Sequence, residues 1–115
     1  MRLDEVLDTL DSYYELEDGW AGEGSYAPNN EVIDNSLAIY GRLSHLEGLD
    51  ITPNNNGTIT FEWNNSVKYV NLEIGKSAAG LMVIPRDETA EKYFKNYKNL
   101  KGTLFFVVDD INAHL

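Results

Sequence analysis

The chain has no cysteine, no long apolar run, and almost no basic residue in its first half. The missing cysteine removes a disulfide scaffold, a thiolate metal site and a cysteine nucleophile together. The longest apolar runs, Gly80–Ile84 and Leu104–Val108, fall far short of the ~20 residues a membrane-spanning helix needs. The N-terminal MRLDEVLDTL is acidic and amphipathic, unlike a signal or transit peptide. A cytoplasmic protein, with no membrane partner, is expected. The third absence is the most informative. Residues 1–50 carry twelve Asp or Glu (4, 5, 8, 11, 15, 17, 18, 23, 31, 34, 47 and 50) against Arg2 and Arg42 alone. Residues 51–115 carry seven acids and seven bases, so the whole formal charge of −10 belongs to the first half. Such acidity argues against direct nucleic-acid binding or an anionic membrane, both of which want clustered Lys and Arg. It leaves open a basic surface, including one that normally holds nucleic acid.

What is present is ordinary for a folded protein. The chain is 43% hydrophobic and 24% charged, which argues against disorder. At 115 residues a single domain, 1–115, is expected, burying roughly two-thirds of its unfolded surface around one modest core.

Periodicity divides the chain. Leu3, Val6, Leu7, Leu10 and Tyr14 recur at spacings of three and four, which predicts a helix over 3–16. Asp4, Asp8, Asp11 and Glu15 keep the same rhythm one position out of phase and form an acidic stripe. Like charges at i,i+4 cost a few tenths of a kcal/mol per pair, and no base offsets them. Glu17–Asn30, with Gly19, Gly22, Gly24 and Pro28, reads as a glycine-rich loop around Trp20, which is expected to pack on the core. Asn29 or Asn30 is set to cap a helix running to about His45. Val32, Ile33, Leu37, Tyr40 and Leu43 lie on its apolar side, with Asp34, Asn35, Arg42 and His45 opposite.

From Ile51 the period falls to two. Thr58–Trp63 alternates, with Ile59, Phe61 and Trp63 on one face, and predicts a strand. Asn64-Asn65-Ser66 turns it into a second strand, Val67–Ile74, and Leu81–Ile84 makes a third. Asp87 is read as capping a short helix from Glu88 to about Asn99, with Lys92, Lys95 and Lys98 on its open side. Thr103–Val108, rich in β-branched and aromatic residues, is read as a fourth strand, followed by a last helical turn capped by Asp109 or Asp110. The predicted order is α-α-β-β-β-α-β: a two-layer α+β domain with an antiparallel sheet of about four strands and helices on one face.

Motifs for chemistry are missing. His45 and His114 form no metal pattern, and Asp4, Asp8 and Asp11 are not a calcium loop. No metal or cofactor is expected. There is no G-x-S-x-G elbow and no serine with an evident histidine partner. A carboxylate pair for glycoside hydrolysis would be an arbitrary choice among so many acids. Gly19-x-x-Gly22-x-Gly24 follows a helix, and Asp18 and Glu23 would repel a phosphate. No catalytic residue is assigned, and an enzyme is the least favoured class. Trp20 and Trp63 are read as core. Tyr13, Tyr26 and Tyr69 are read as exposed aromatics beside acid, a mixture that suits interfaces.

Glu17-Asp18-Gly19-Trp20-Ala21-Gly22-Glu23-Gly24, then Pro28 and Glu31-Val32-Ile33, form one pattern; Asp50-Ile51-Thr52-Pro53 followed by Gly57-Thr58-Ile59-Thr60-Phe61-Glu62-Trp63 form a second. Together, over about residues 10–75, the chain resembles a group of short bacterial and phage proteins without a known activity. That group joins a W-D-G-x-G-a-x-P segment and a helix to a P-x-x-x-G-G-I-x-l-E-W strand. Ala21 stands where the group has Asp, and Asn56-Gly57 replaces a double glycine. The resemblance implies no catalytic residues. It marks Gly19, Trp20, Gly22, Gly24, Pro28, Gly57 and Trp63 as structural, and it implies an accessory role in defence, counter-defence or immunity.

The sequence therefore leads to a small non-enzymatic binding protein that neutralises a basic protein partner, as a phage anti-defence inhibitor or an immunity or antitoxin protein would. Asp4, Asp8, Asp11, Glu15, Glu17, Asp18 and Glu23 are its expected contact residues. A plainly solvated helix face is the competing reading of the same stripe. A small-molecule module built on the Trp20 loop and the sheet is the alternative function, with a cation favoured by acid and aromatic faces. An exposed edge strand, Leu81–Ile84 or Leu104–Val108, is a route to pairing with a second copy.

Overall fold

The computed structural model describes residues 3–115, and the side chain of Leu3, expected in the apolar stripe, lies outside the described residues with Met1 and Arg2. Helix α1 spans Leu3–Ser12 and runs into a 3₁₀ turn at Tyr13–Glu15; α2 spans Asn30–Leu43. Five strands follow: β1 Leu49–Pro53, β2 Ile59–Asn64, β3 Lys68–Ile74, β4 Ala78–Pro85 and β5 Tyr93–Lys98, before α3 Leu100–His114. The strands form one antiparallel meander in the order β1-β2-β3-β4-β5. The fold is α+β, with one contiguous apolar core between the sheet and the helices.

Alternation makes the sheet one-sided. Ile59, Phe61 and Trp63 on β2 are buried, as are Val70, Leu72 and Ile74 on β3 and Ala79, Leu81 and Val83 on β4. Register aligns them across the strands: Phe61 faces Leu72, and Leu72 faces Leu81. Phe61 and Trp63 meet edge to face, with centroids 6.2 Å apart, a favoured aromatic geometry. Helix α2 is capped as expected, its Asn29 side chain accepting from the Val32 N–H at 3.0 Å. It buries Val32, Ile33, Ile39, Tyr40 and Leu43. Asn35, placed on its open side by sequence, is in fact buried and donates to the carbonyls of Gly75 and Lys76. These bonds satisfy an amide inside the core and tie α2 to the β3–β4 turn.

Four expectations change. The predicted helix at 88–99 is a turn followed by β5. Tyr93 and Tyr97, four residues apart, share one face in a strand as well as in a helix, so their spacing was ambiguous. Pairing with β4 decides it, with Tyr97 opposite Ala79 and Tyr93 opposite Val83. The predicted strand at 103–108 lies inside α3, where Leu100, Val107, Val108 and Ile111 are buried at helical spacing; its intrinsic β preference yields to that packing. The strand β1, unassigned in the sequence reading, pairs with β2 from Leu49↔Trp63 to Pro53↔Ile59. The outermost strands of the sheet are therefore β1 and β5. The segment Leu81–Ile84 is interior to the sheet and Leu104–Val108 is helical, so neither offers an edge to a second copy.

A polar cluster pins α3 to β5. Asp110 Oδ2 receives the Lys95 ammonium at 3.0 Å and the Tyr97 hydroxyl at 2.5 Å. The rings of Tyr93 and His114 stack with centroids 4.4 Å apart, and the Lys68 ammonium donates to the His114 carbonyl. Burial pushes the Asp110 carboxyl up, but the Tyr97 hydroxyl and Lys95 outweigh it and hold the group below the usual carboxylate range. Burial, then the bond to Asp110, raises the Tyr97 phenol. A lowered carboxylate contributes stability above its unfolded value of about 3.9, lost as pH falls through the folded value. A raised phenol contributes stability below about pH 10, lost as pH climbs past it. Urea unfolding should therefore show Asp110→Asn costing about 1–2 kcal/mol near neutrality and much less below pH 3; an equal cost at both pH values would refute this assignment.

Candidate partner-binding face

The acidic stripe is set by which side of α1 goes inward. Val6, Leu10 and Tyr13 are buried, whereas Leu7 and Tyr14 are 43% and 37% exposed. The apolar stripe is thus rotated from the sequence reading, which had assigned Leu7 and Tyr14 to it. Tyr13 moves into the core, where burial raises its phenol, and is not the exposed aromatic expected. The rotation leaves Asp4, Asp8, Asp11 and Glu15 exposed and opposite the buried face, not beside it. Asp4 and Glu5 sit in the first turn, at the positive end of the helix dipole. Among the described residues Asp8, Asp11 and Glu15 have no ion pair or side-chain hydrogen bond.

The loop after α1 extends this face and is rigidly built. Gly19, Gly22 and Gly24 all have positive φ, which glycine adopts without the steric penalty of a Cβ. The turns close through Gly22 N–H to Gly19 O at 3.0 Å and Ser25 N–H to Gly22 O at 3.1 Å. Trp20 does not pack into the core as expected. It is half-buried, and its indole N–H donates to the Tyr26 carbonyl at 2.9 Å, closing the loop on itself. Asp18 accepts from the Ala27 N–H at 3.0 Å, so it positions the chain as well as carrying charge. Tyr26 N–H donates to Asn55 O at 2.7 Å, fastening the loop to the β1–β2 turn. Gly57, at φ +87, lies where a Cβ would come within 3.3 Å of the Ala27 carbonyl. Pro28 is buried, and Trp63 is core, 2% exposed.

Glu17, Asp18 and Glu23 are all exposed, as is Tyr26 at 60%. Glu15, Leu16, Glu17, Asp18, Gly19 and Trp20 line a shallow groove of about 370 Å³. The structure thus brings the end of the helical stripe and the first part of the loop to one concave surface; Glu23 lies outside that lining. One neighbour went unnoticed in the sequence. Asp34, on α2, accepts the Tyr14 hydroxyl at 2.6 Å, and that bond raises the Tyr14 phenol to about 12. Only the packing of α1 on α2 joins these residues, and no local pattern marks it. Tyr69 is half-buried, its hydroxyl donating to Glu62 on the far face of the sheet, so it takes no part here.

Among the described residues no three His, Asp or Glu side chains could hold a metal ion, and no helix is long and apolar enough to cross a membrane. Comparison with known protein families, with curated proteins and with solved structures returns no match.

Asp18→Ala should cost about 1 kcal/mol in urea unfolding, through the lost bond to Ala27, and should speed proteolytic cleavage between Glu17 and Pro28. Unchanged cleavage would mean that this bond does not hold the loop.

Proposed function

We propose that this chain is a non-enzymatic binding protein that covers a basic surface on another protein, with Asp4, Asp8, Asp11 and Glu15 as its centre and Glu17, Asp18 and Glu23 at its side. The carrying observation is the junction of the exposed helical stripe, in which Asp8, Asp11 and Glu15 have no ion pair among the described residues, with the acidic groove beside Trp20. A Lys or Arg side chain entering that groove meets three carboxylates, Glu15, Glu17 and Asp18, and the Trp20 indole, a combination that attracts cations. Its walls are fixed in advance by the loop's own hydrogen bonds, which lowers the ordering cost of association. A merely solvated face ordinarily mixes both signs; the stretch from Asp8 to Glu23 carries acids and no base. The resemblance to short bacterial and phage proteins implies an accessory role in defence or immunity, and on that ground the basic partner is a nucleic-acid-binding protein, inhibited as by an anti-defence, immunity or antitoxin protein.

Charge-steered association is fast and falls steeply with salt. Affinity capture from host lysate at low salt, followed by mass spectrometry, should retain a basic protein. A variant with Asp4, Asp8, Asp11 and Glu15 changed to Asn or Gln should retain at least tenfold less of it. Full retention by that variant would sink the proposal.

A further inference from the structure

A second groove lies away from the acidic face. It has a volume of about 490 Å³ and sits on the outer side of the sheet where β3, β4 and β5 meet their turns. That volume falls within the range of small-molecule sites. Gly80 on β4 forms its floor, between Glu73 on β3 and Asn96 on β5 in direct register. A side chain at position 80 would stand between these neighbours and fill the groove, since even a Cβ there would lie 3.4 Å from the Asn96 side-chain oxygen.

Glu73 and Lys98 lie on opposite walls; the other charged lining residue, Lys76, is paired with Glu31 at 3.6 Å. Glu73 is fixed: its Oε2 accepts from the Thr58 hydroxyl at 2.7 Å and from the Asn56 amide at 3.2 Å. Its other oxygen has no partner among the described residues, so the carboxylate is held in place with one acceptor open. Lys98, on the opposite wall, makes no side-chain hydrogen bond or ion pair among the described residues. Glu73 and Asn96 are two strand spacings apart, roughly 10 Å, and the four-carbon stem of Lys98 allows its ammonium to travel across much of that gap. The two charges form no ion pair. A carboxylate and an ammonium facing each other over a bare backbone floor match a ligand with the same charges reversed.

We infer that this groove binds a small zwitterion of the amino-acid type, its ammonium on Glu73 and its carboxylate on Lys98, with its side chain over Gly80 and Ala78. The site is independent of the acidic face. Because it is open, binding is weak, with Kd on the order of 0.1–1 mM.

The test is an NMR titration of the full chain, labelled with nitrogen-15, with free amino acids, with dipeptides, and with methylamine and acetate as single-charge controls. Saturable shifts at Gly80 and the Asn96 side-chain amide are expected with a zwitterion and not with either control. Glu73→Gln, Lys98→Met and Gly80→Val should each weaken binding at least fivefold. Lys98→Met touches an exposed side chain without partners, so it leaves the fold intact even if Gly80→Val does not. If free amino acids bind and dipeptides do not, the ligand is a free amino acid; the reverse result assigns a short peptide. No saturable shift with any zwitterion at 10 mM, equal shifts with methylamine or acetate, or binding unchanged in Lys98→Met would overturn the inference.

Discussion

The structure depends on the sheet having one apolar face. In a strand a slip of one residue would turn every buried side chain to water, so Ile59, Phe61 and Trp63 hold β2 in register with β3, and the register passes to β1, β4 and β5. With the apolar side fixed, all three helices have only that side to cover. Each must then turn its polar face outward. The surface that gathers the charge of the first half follows from this, because α1 and the 3₁₀ turn after it bury Val6, Leu10 and Tyr13 while presenting Asp8, Asp11 and Glu15 to solvent.

The same constraint explains which features were legible in the sequence. Clean period-two alternation identified β2 and β3, and the Asn29 cap with its helical stripe identified α2, because those signals are local. The segment from Tyr93 to Val108 was misread because its signals are shared or misleading. A four-residue spacing fits both strand and helix, and the β-branched run at 103–108 becomes helical only because Leu100, Leu104, Val107, Val108 and Ile111 together meet the core. The Lys95–Asp110–Tyr97 cluster that joins β5 to α3 could not be read at all, since it depends on tertiary contact between segments given the wrong structure.

The candidate face was legible in part. Each of the seven acids expected on the face is exposed, and the helical rhythm grouped four of them. The exact rotation of α1 was off by one position, which changed the roles of Tyr13 and Tyr14. Trp20 proved to be a loop clamp and not a core residue. The addition of Asp34 through Tyr14 required the contact between two helices. The outer side of the sheet, where Gly80 opens a groove between Glu73 and Lys98, had no sequence signal, because those residues lie on three different strands.

The central claim is that the acidic face costs the fold something and is kept for another purpose. Repelling carboxylates at i,i+3 and i,i+4 each cost a few tenths of a kcal/mol, and a small local conflict of this kind is characteristic of functional surfaces. Urea unfolding at low salt, comparing the natural chain with Asp8→Asn, Asp11→Asn and Glu15→Gln combined, tests it most directly. The account expects the variant to be more stable by about 0.5–1 kcal/mol, with the difference shrinking as salt screens the charges. A variant that is less stable than the natural chain would contradict it, because those carboxylates would then be serving the fold itself.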